Sequence, residues 1–213
     1  MVTETAFSAL VLLVAIQRLF ELRLSKQNEA EMRARGGREH APEQMPWMKM
    51  LHAGWLVAML VEVWLLARGF HAVGAGLALL VFVGGQVLRR AAIRSLGDRW
   101  SVRIMTVPGE AVRKTRLFTW VRHPNYLGVC LEIAALPLVH GAWLTALVFS
   151  VLNGALLSWR IREEEKALAL DEDYAEAFPR SSLGSVSKGG IRARAQGTEL
   201  PGARARNPQD PWR

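Results

Sequence analysis

The strongest constraint on this chain is how its apolar residues are distributed. They are gathered into five long runs, Ala6–Leu22, Leu51–Ala67, His71–Leu88, Tyr126–His140 and Ala142–Trp159, rather than spread at helical spacing. Each run is at or below the ~20 residues that a straight helical crossing of a bilayer needs. That shortness suits helices that stop at the polar boundary, where a site open to water can form. Only Gly141 separates the fourth and fifth runs, which predicts a tight helical hairpin. The expected fold is therefore an all-α integral membrane protein with about five transmembrane helices, the last two forming a C-terminal hairpin. A length of 213 residues leaves room for one ordinary domain. We expect it to be membrane-embedded over 1–179, with a basic, disordered tail over 180–213, where Gly, Ser, Pro and Arg follow one another without periodicity.

Orientation follows from the basic residues. Arg23, Lys26, Arg33, Arg35, Arg38 and Lys49 lie between the first and second runs. A second basic stretch, from Arg89 to Arg122, separates the third and fourth, and a third follows the fifth run. The other short connections hold only Arg68. Five spans with the N-terminus outside put every basic stretch, and the C-terminus, in the cytoplasm. The net charge of +8 then reads as attraction to an anionic membrane surface. Nucleic acid is not an expected partner, since no nucleic-acid-reading motif accompanies the charge. The first run lacks a preceding basic region and carries Gln17, Arg18 and Glu21, so it reads as a retained span rather than a cleaved signal.

Two inside segments look ordered. Residues Arg99–Met105 alternate roughly between polar and apolar before the Pro108-Gly109 turn, which predicts a short extended stretch. Residues Arg160–Ala177, rich in Glu, Ala, Leu and Lys, read as the fifth helix continuing beyond the membrane and ending before Pro179.

Three features bear on chemistry. In Arg122-His123-Pro124-Asn125-Tyr126-Leu127-Gly128, a basic loop enters the fourth span. Proline suits a helix start, and first-turn amides lack partners within the helix, so this end attracts a carboxylate. His123 can donate or accept a proton near neutral pH. The same residues also fit a plain helix start with an arginine on a lipid phosphate. The second feature is Arg160-Ile161-Arg162-Glu163-Glu164-Glu165, where the fifth span leaves the membrane. Carboxylates there suit ribose hydroxyls or a sulfonium charge, although a solvated glutamate-rich helix surface would look the same. The third feature is their pairing: a hairpin returns the chain to the face it left, so both groups meet on one side, where a cationic amino-acid cofactor with a ribose could lie between them.

Other polar residues fall within the runs. Arg18 and Glu21, three apart, are placed to neutralise each other, whereas Glu62 and Glu132 have no partner nearby in sequence. Cys130 is the only cysteine, so neither an intrachain disulfide nor a cysteine zinc cluster is available, and it reads as a small buried hydrophobe. No metal-ligand spacing, no G-x-G-x-x-G after a strand and no G-x-S-x-G elbow is present.

These residues resemble the isoprenylcysteine carboxyl methyltransferase family. Leu88-Arg89-Arg90-Ala91-Ala92-Ile93, Leu96-Gly97, Arg122–Gly128 and Arg160 to Leu168 follow that family's C-terminal half in order. Gln17-Arg18-Leu19-Phe20-Glu21-Leu22 and Ser25-Lys26-Gln27-Asn28-Glu29 are similar to its bacterial branch, some members of which O-methylate alkylresorcinol or alkylpyrone lipids. The resemblance implies an S-adenosylmethionine-dependent O-methyltransferase with a cytoplasmic cofactor pocket, a lipid-like acceptor arriving from the bilayer, and a bacterial cell membrane as its location. It implies that His123, Pro124, Asn125 and Tyr126 wrap the cofactor's amino-acid end and that Glu164, with Glu165, holds its adenosine. It places Arg160 at an anionic acceptor, and His123 becomes the candidate base for a phenolic one. Phe118 stands where eukaryotic members have a tyrosine and can stack on adenine; Met105 stands where a glutamine is expected. Related phospholipid N-methyltransferases share parts of the pattern, and a non-enzymatic scaffold binding anionic lipid is the remaining alternative.

The charge distribution makes a prediction. A reporter active only outside the cytoplasm should be active when fused at Gly69 and inactive when fused at Gly109; the reverse pattern would invert the topology.

Overall fold

The computed structural model describes residues 1–110 and 116–168. Along them run α1 (Val2–Ala34), β1 (Arg38–His40), α2 (Gln44–Leu65), α3 (Ala72–Leu96), a 3-10 turn (Gly97–Arg99), β2 (Ile104–Thr106), α4 (Arg116–Trp120), α5 (Pro124–Leu138) and α6 (Trp143–Leu168). Four of these, α1, α2, α3 and α6, are long and apolar enough to cross a membrane. The fifth expected span, α5, is an apolar helix of 15 residues. At 1.5 Å per residue it covers about 22 Å, short of a ~30 Å hydrocarbon core. The start of this short helix lines the site described below.

The helices turn large apolar side chains outward, among them Val73 and Leu80 on α3 and Val151 on α6. Water would penalise such a surface heavily, whereas lipid removes the penalty. The chain is a multi-pass, mostly helical membrane protein. Its buried centre comes from Phe7, Val11 and Val14 of α1, Trp55 and Met59 of α2, Phe82 of α3, and Ile133 and Leu136 of α5. The Trp55 indole also donates to the Ile133 carbonyl at 3.2 Å, which stitches α2 to α5.

Lipid tails are as apolar as leucine, so the helices need more than hydrophobicity to choose partners. Between α3 and α5 the device is glycine. A Cβ on Gly128 would lie 2.6 Å from Arg89 Cγ and 2.9 Å from the Gly85 carbonyl oxygen. A Cβ on Gly85 would lie 3.0 Å from the Gly128 carbonyl oxygen. The two backbones touch because neither glycine has a side chain. At the other end of α5, Gly141 takes φ +70° and closes the hairpin into α6, as the sequence predicts.

Between α1, α3 and α5 the device is charge. Arg18 pairs with Glu21 at 2.6 Å and with Glu132, and Arg89 pairs with Glu21. Gln17 adds hydrogen bonds to Glu21 at 3.0 Å and Gln86 at 2.6 Å. Arg18 and Glu21 do pair locally, but as half of a four-member network in which Glu132 finds partners far away in sequence. Isolated in hydrocarbon each charge would be costly; joined, they hold α1 in a set register on α3. Glu62 has a comparable structural task. It accepts from the Thr145 amide at 2.7 Å and the Leu144 amide at 3.1 Å, capping the free amides at the start of α6, and Arg68 pairs with it at 3.0 Å.

Three expectations shift. Cys130, read as a small buried hydrophobe, is exposed. The extended stretch begins at Ile104, later than its alternation implied, because Gly97–Arg99 winds into a 3-10 turn. It also pairs antiparallel with β1, Arg38 opposite Thr106, so the described part is not purely helical. The expected extension of α6 to Ala177 and the tail from 180 lie outside the described residues.

The glycine contact generates a prediction. Gly128→Ala should lower the thermal midpoint in detergent, with a loss on the order of 1–3 kcal/mol from overpacking. Gly76→Ala, with nothing within 4 Å of the added carbon, should leave the midpoint unchanged or raise it. Equal effects would contradict backbone contact at Gly128.

Candidate functional site

The beginning of α5 and the end of α6 meet, as the hairpin requires, and face the loop from the 3-10 turn to β2. Together they line a cavity of about 230 Å³. Phe118, His123, Pro124, Asn125, Tyr126, Arg160 and Glu164, all expected from the sequence, lie on its wall. Glu165 does not; its carboxylate lies outside, 3.5 Å from both His123 Nε2 and Arg122 Nη1.

Pro124 opens α5 because its fixed φ and missing N–H cost nothing there. His123 occupies the capping position without a side-chain cap, so its ring is free to stack on Tyr126, with centroids 5.5 Å apart and planes 19° from parallel. One turn into the helix, the Tyr126 hydroxyl donates to the Glu164 carboxylate and accepts from Arg160 Nε at 2.9 Å. Arg160 Nη2 donates to the Val102 carbonyl at 2.7 Å. Arg160 is 4% exposed. One guanidinium thus joins α5, α6 and the cavity floor, with only two of its five N–H donors committed to these bonds.

That floor is held by the C-terminal part of α1. Asn28 Nδ2 donates to the Gly97 carbonyl at 3.0 Å and the Trp100 carbonyl at 2.7 Å. Ser25 Oγ receives the Val102 amide at 2.9 Å, and Glu29 accepts from Ser101 at 2.9 Å and pairs with Arg103 at 3.2 Å. Ser25, Asn28, Glu29 and Met32 share one buried face of α1. Their i, i+3, i+4, i+7 spacing was the available signal for a role that sequence reasoning left unassigned. On the outer side, β1 braces β2. His40 hydrogen-bonds Thr106 at 2.8 Å, and Glu39 bonds both Arg33 and Arg103. Partial burial would raise the Glu39 carboxyl, but the two guanidiniums outweigh it and hold it below the usual carboxylate range.

Among the described residues, five buried polar atoms on cavity-lining residues have no hydrogen-bond partner; Arg99 Nε and Glu110 Oε2 form an ion pair at 2.9 Å and His123 Nε2 lies 3.5 Å from Glu165, which leaves Trp100 Nε1 and Asn125 Oδ1 with neither. One is a donor and the other an acceptor, and buried groups of this kind are normally satisfied. Neither residue's lack of a partner could be read from sequence, and Trp100 was not singled out there. A ligand bearing both donors and acceptors answers this wall, and the apolar side chains of Met105, Ile104 and Phe118 beside it suit a flat ring. The chemical capacity of the site is therefore to seat a polar molecule that carries both donors and acceptors and a flat ring, next to a partly uncommitted guanidinium.

Removing the bridging hydroxyl should expose how the site is held together. Tyr126→Phe leaves Arg160 Nε and Glu164 without their shared partner, and should cost about 1–3 kcal/mol of stability in the detergent-solubilised protein. An unchanged unfolding midpoint would mean the bridge carries no structural weight.

Comparison with known proteins agrees with this geometry. Residues 77–170 match the isoprenylcysteine carboxyl methyltransferase (ICMT) family, a range that spans α3, the cavity floor and the α5–α6 hairpin. A Bacillus subtilis (strain 168) protein, "Uncharacterized protein YpbQ", is 35% identical over 162 residues, covering 76% of this chain and 96% of its own length. A protein of Haemophilus influenzae is 28% identical over 166 residues, covering 77% of this chain and 92% of its own. No solved structure matches the chain. With the hairpin, the cavity and these matches taken together, the chain belongs to the isoprenylcysteine carboxyl methyltransferase family and is a multi-pass membrane methyltransferase.

Proposed function

We propose that this protein is an S-adenosylmethionine-dependent O-methyltransferase whose acceptor is a lipid carrying a carboxylate or a phenol. The observation that carries this reading is the cavity itself. It gathers His123, Asn125, Tyr126, Arg160 and Glu164 at one end of the hairpin and leaves Trp100 Nε1 and Asn125 Oδ1 wanting partners. S-adenosylmethionine, when bound, supplies a sulfonium-activated methyl group, so the protein has mainly to position the reactants and exclude water.

The residues divide that work. The first-turn amides of α5, beside Asn125 and the His123–Tyr126 stack, suit the cofactor's amino-acid end. Glu164 suits ribose hydroxyls or the sulfonium charge, and Phe118 the adenine face. Glu165, outside the cavity, acts through His123 and Arg122 rather than on the cofactor. The uncommitted N–H groups of Arg160 suit an anionic acceptor oxygen, and a carboxylate held there needs no further activation. A phenol would first lose its proton, and His123, near the Glu165 carboxylate, is placed to take it. The cofactor arrives from the cytoplasm, and the acceptor's hydrocarbon portion stays in the bilayer, here a bacterial cell membrane.

Titration of S-adenosylmethionine into the detergent-solubilised protein should give saturable binding, weakened at least tenfold by Glu164→Gln and by His123→Ala. No binding by the wild-type protein would leave a lipid-binding scaffold. With labelled cofactor and membrane lipid extracts, a base-labile product identifies a carboxyl acceptor and a base-stable ether a phenol. A methylated amine headgroup would overturn the O-methyl assignment in favour of a phospholipid N-methyltransferase.

A further inference from the structure

Away from the cavity, a groove of about 640 Å³ runs between α1 and α3. The two helices lie parallel, since Gln17 meets Gln86, Glu21 meets Arg89 and Asn28 meets Gly97 at a near-constant sequence offset. On the α1 side, Leu13, Ile16 and Phe20 line the groove, with Leu13 63% and Phe20 68% exposed. On the α3 side, Arg90 and Arg94 stand one turn apart near the end of the apolar run, both exposed. Unlike Arg18, Arg33, Arg68, Arg89 and Arg103, these two have no carboxylate partner among the described residues. Glu21, which also borders the groove, is already neutralised by Arg18 and Arg89.

We propose that this groove is a binding seat for one anionic phospholipid, its phosphate on Arg90 and Arg94 and an acyl chain along Leu13, Ile16 and Phe20. The geometry supplies each part a lipid needs. Two guanidiniums placed side by side at the helix end match a phosphodiester, whose oxygens they can engage in a fork. The apolar trough from Leu24 back to Leu13 runs about 16 Å along α1, at 1.5 Å per residue. Head and tail follow the same direction along the two parallel helices. Basic pockets between spans at the inner surface select anionic headgroups in this manner. The seat is separate from the methyltransferase cavity and shares no lining residue with it, so the proposal stands independently of the cofactor and the acceptor.

The test is native mass spectrometry of the detergent-purified chain offered equal amounts of phosphatidylglycerol and phosphatidylcholine with identical acyl chains. One phosphatidylglycerol per chain should be retained, with a preference of at least about tenfold, since each arginine contributes roughly fivefold. Arg90→Gln/Arg94→Gln should bring the preference to within about twofold, whereas Lys26→Gln, an exposed change on α1 that does not line the groove, should keep it. Both arginines are exposed and have no carboxylate partner among the described residues, so the double variant should retain its lipid-free thermal midpoint. If it cannot be recovered, each single variant should show about a fivefold loss. Inorganic phosphate should not displace the lipid. Equal retention of the two lipids, a preference that survives both substitutions, displacement by phosphate, or a lipid-free dimer occupying the groove would each overturn the proposal.

Discussion

The Arg160 guanidinium is the contact on which the rest of the site depends. It reaches from α6 to the Tyr126 hydroxyl on α5 and to the Val102 carbonyl on the floor, fixing three segments that are far apart in sequence. A lysine could not do the same, because the two bonds leave from different nitrogens of one rigid plane. Around this tie the molecule arranges its other polar contacts in layers. Glu164 shares the Tyr126 hydroxyl, Asn28 holds the floor from below, and the Glu39 pairs tie β1 to α1 and to Arg103 just before β2.

The membrane sets the terms for these ties. In hydrocarbon, apolar contacts between helices are little better than contacts with lipid, so packing is decided by close backbone approach and by polar pairs. Gly85 and Gly128 supply the first between α3 and α5. Arg18, Glu21, Arg89 and Glu132 supply the second between α1 and that pair. The proline-led start of α5, with the free amides there, stands on the cavity wall, where a polar ligand can be enclosed.

Much of this was legible in the sequence, and the reasons differ by element. Four of the five expected spans were readable because hydrocarbon acts on local composition: apolar runs declare themselves without any knowledge of their neighbours. The meeting of His123–Tyr126 with Arg160 and Glu164 followed from one short connection at Gly141, since a hairpin fixes which ends share a face. The gathering of the motif residues on the cavity wall was therefore predictable, and Glu165 lies off that wall because three consecutive glutamates cannot all point one way on a helix. The cross-ties were not legible. Arg18 and Glu132 are 114 residues apart, and nothing local distinguishes their pairing from a pairing with any other intramembrane charge. The buried face of α1 beyond the membrane, Ser25 to Met32, was visible as a spacing, but its meaning depended on a loop that it holds 72 residues away. The β1 strand is too short, and too polar in Arg38-Glu39-His40, to announce itself at all.

The central claim is that the α5 start, the α6 exit and the Gly97–Thr106 floor enclose a single cofactor site. Photochemical cross-linking of labelled S-adenosylmethionine to the membrane-embedded protein, with mapping of the modified peptides, tests it most directly. The account predicts saturable label confined to peptides holding 97–107, 118–126 and 160–168, competed by S-adenosylhomocysteine. Saturable label in α1 or α2 within the bilayer, or label that competitor does not remove, would contradict it.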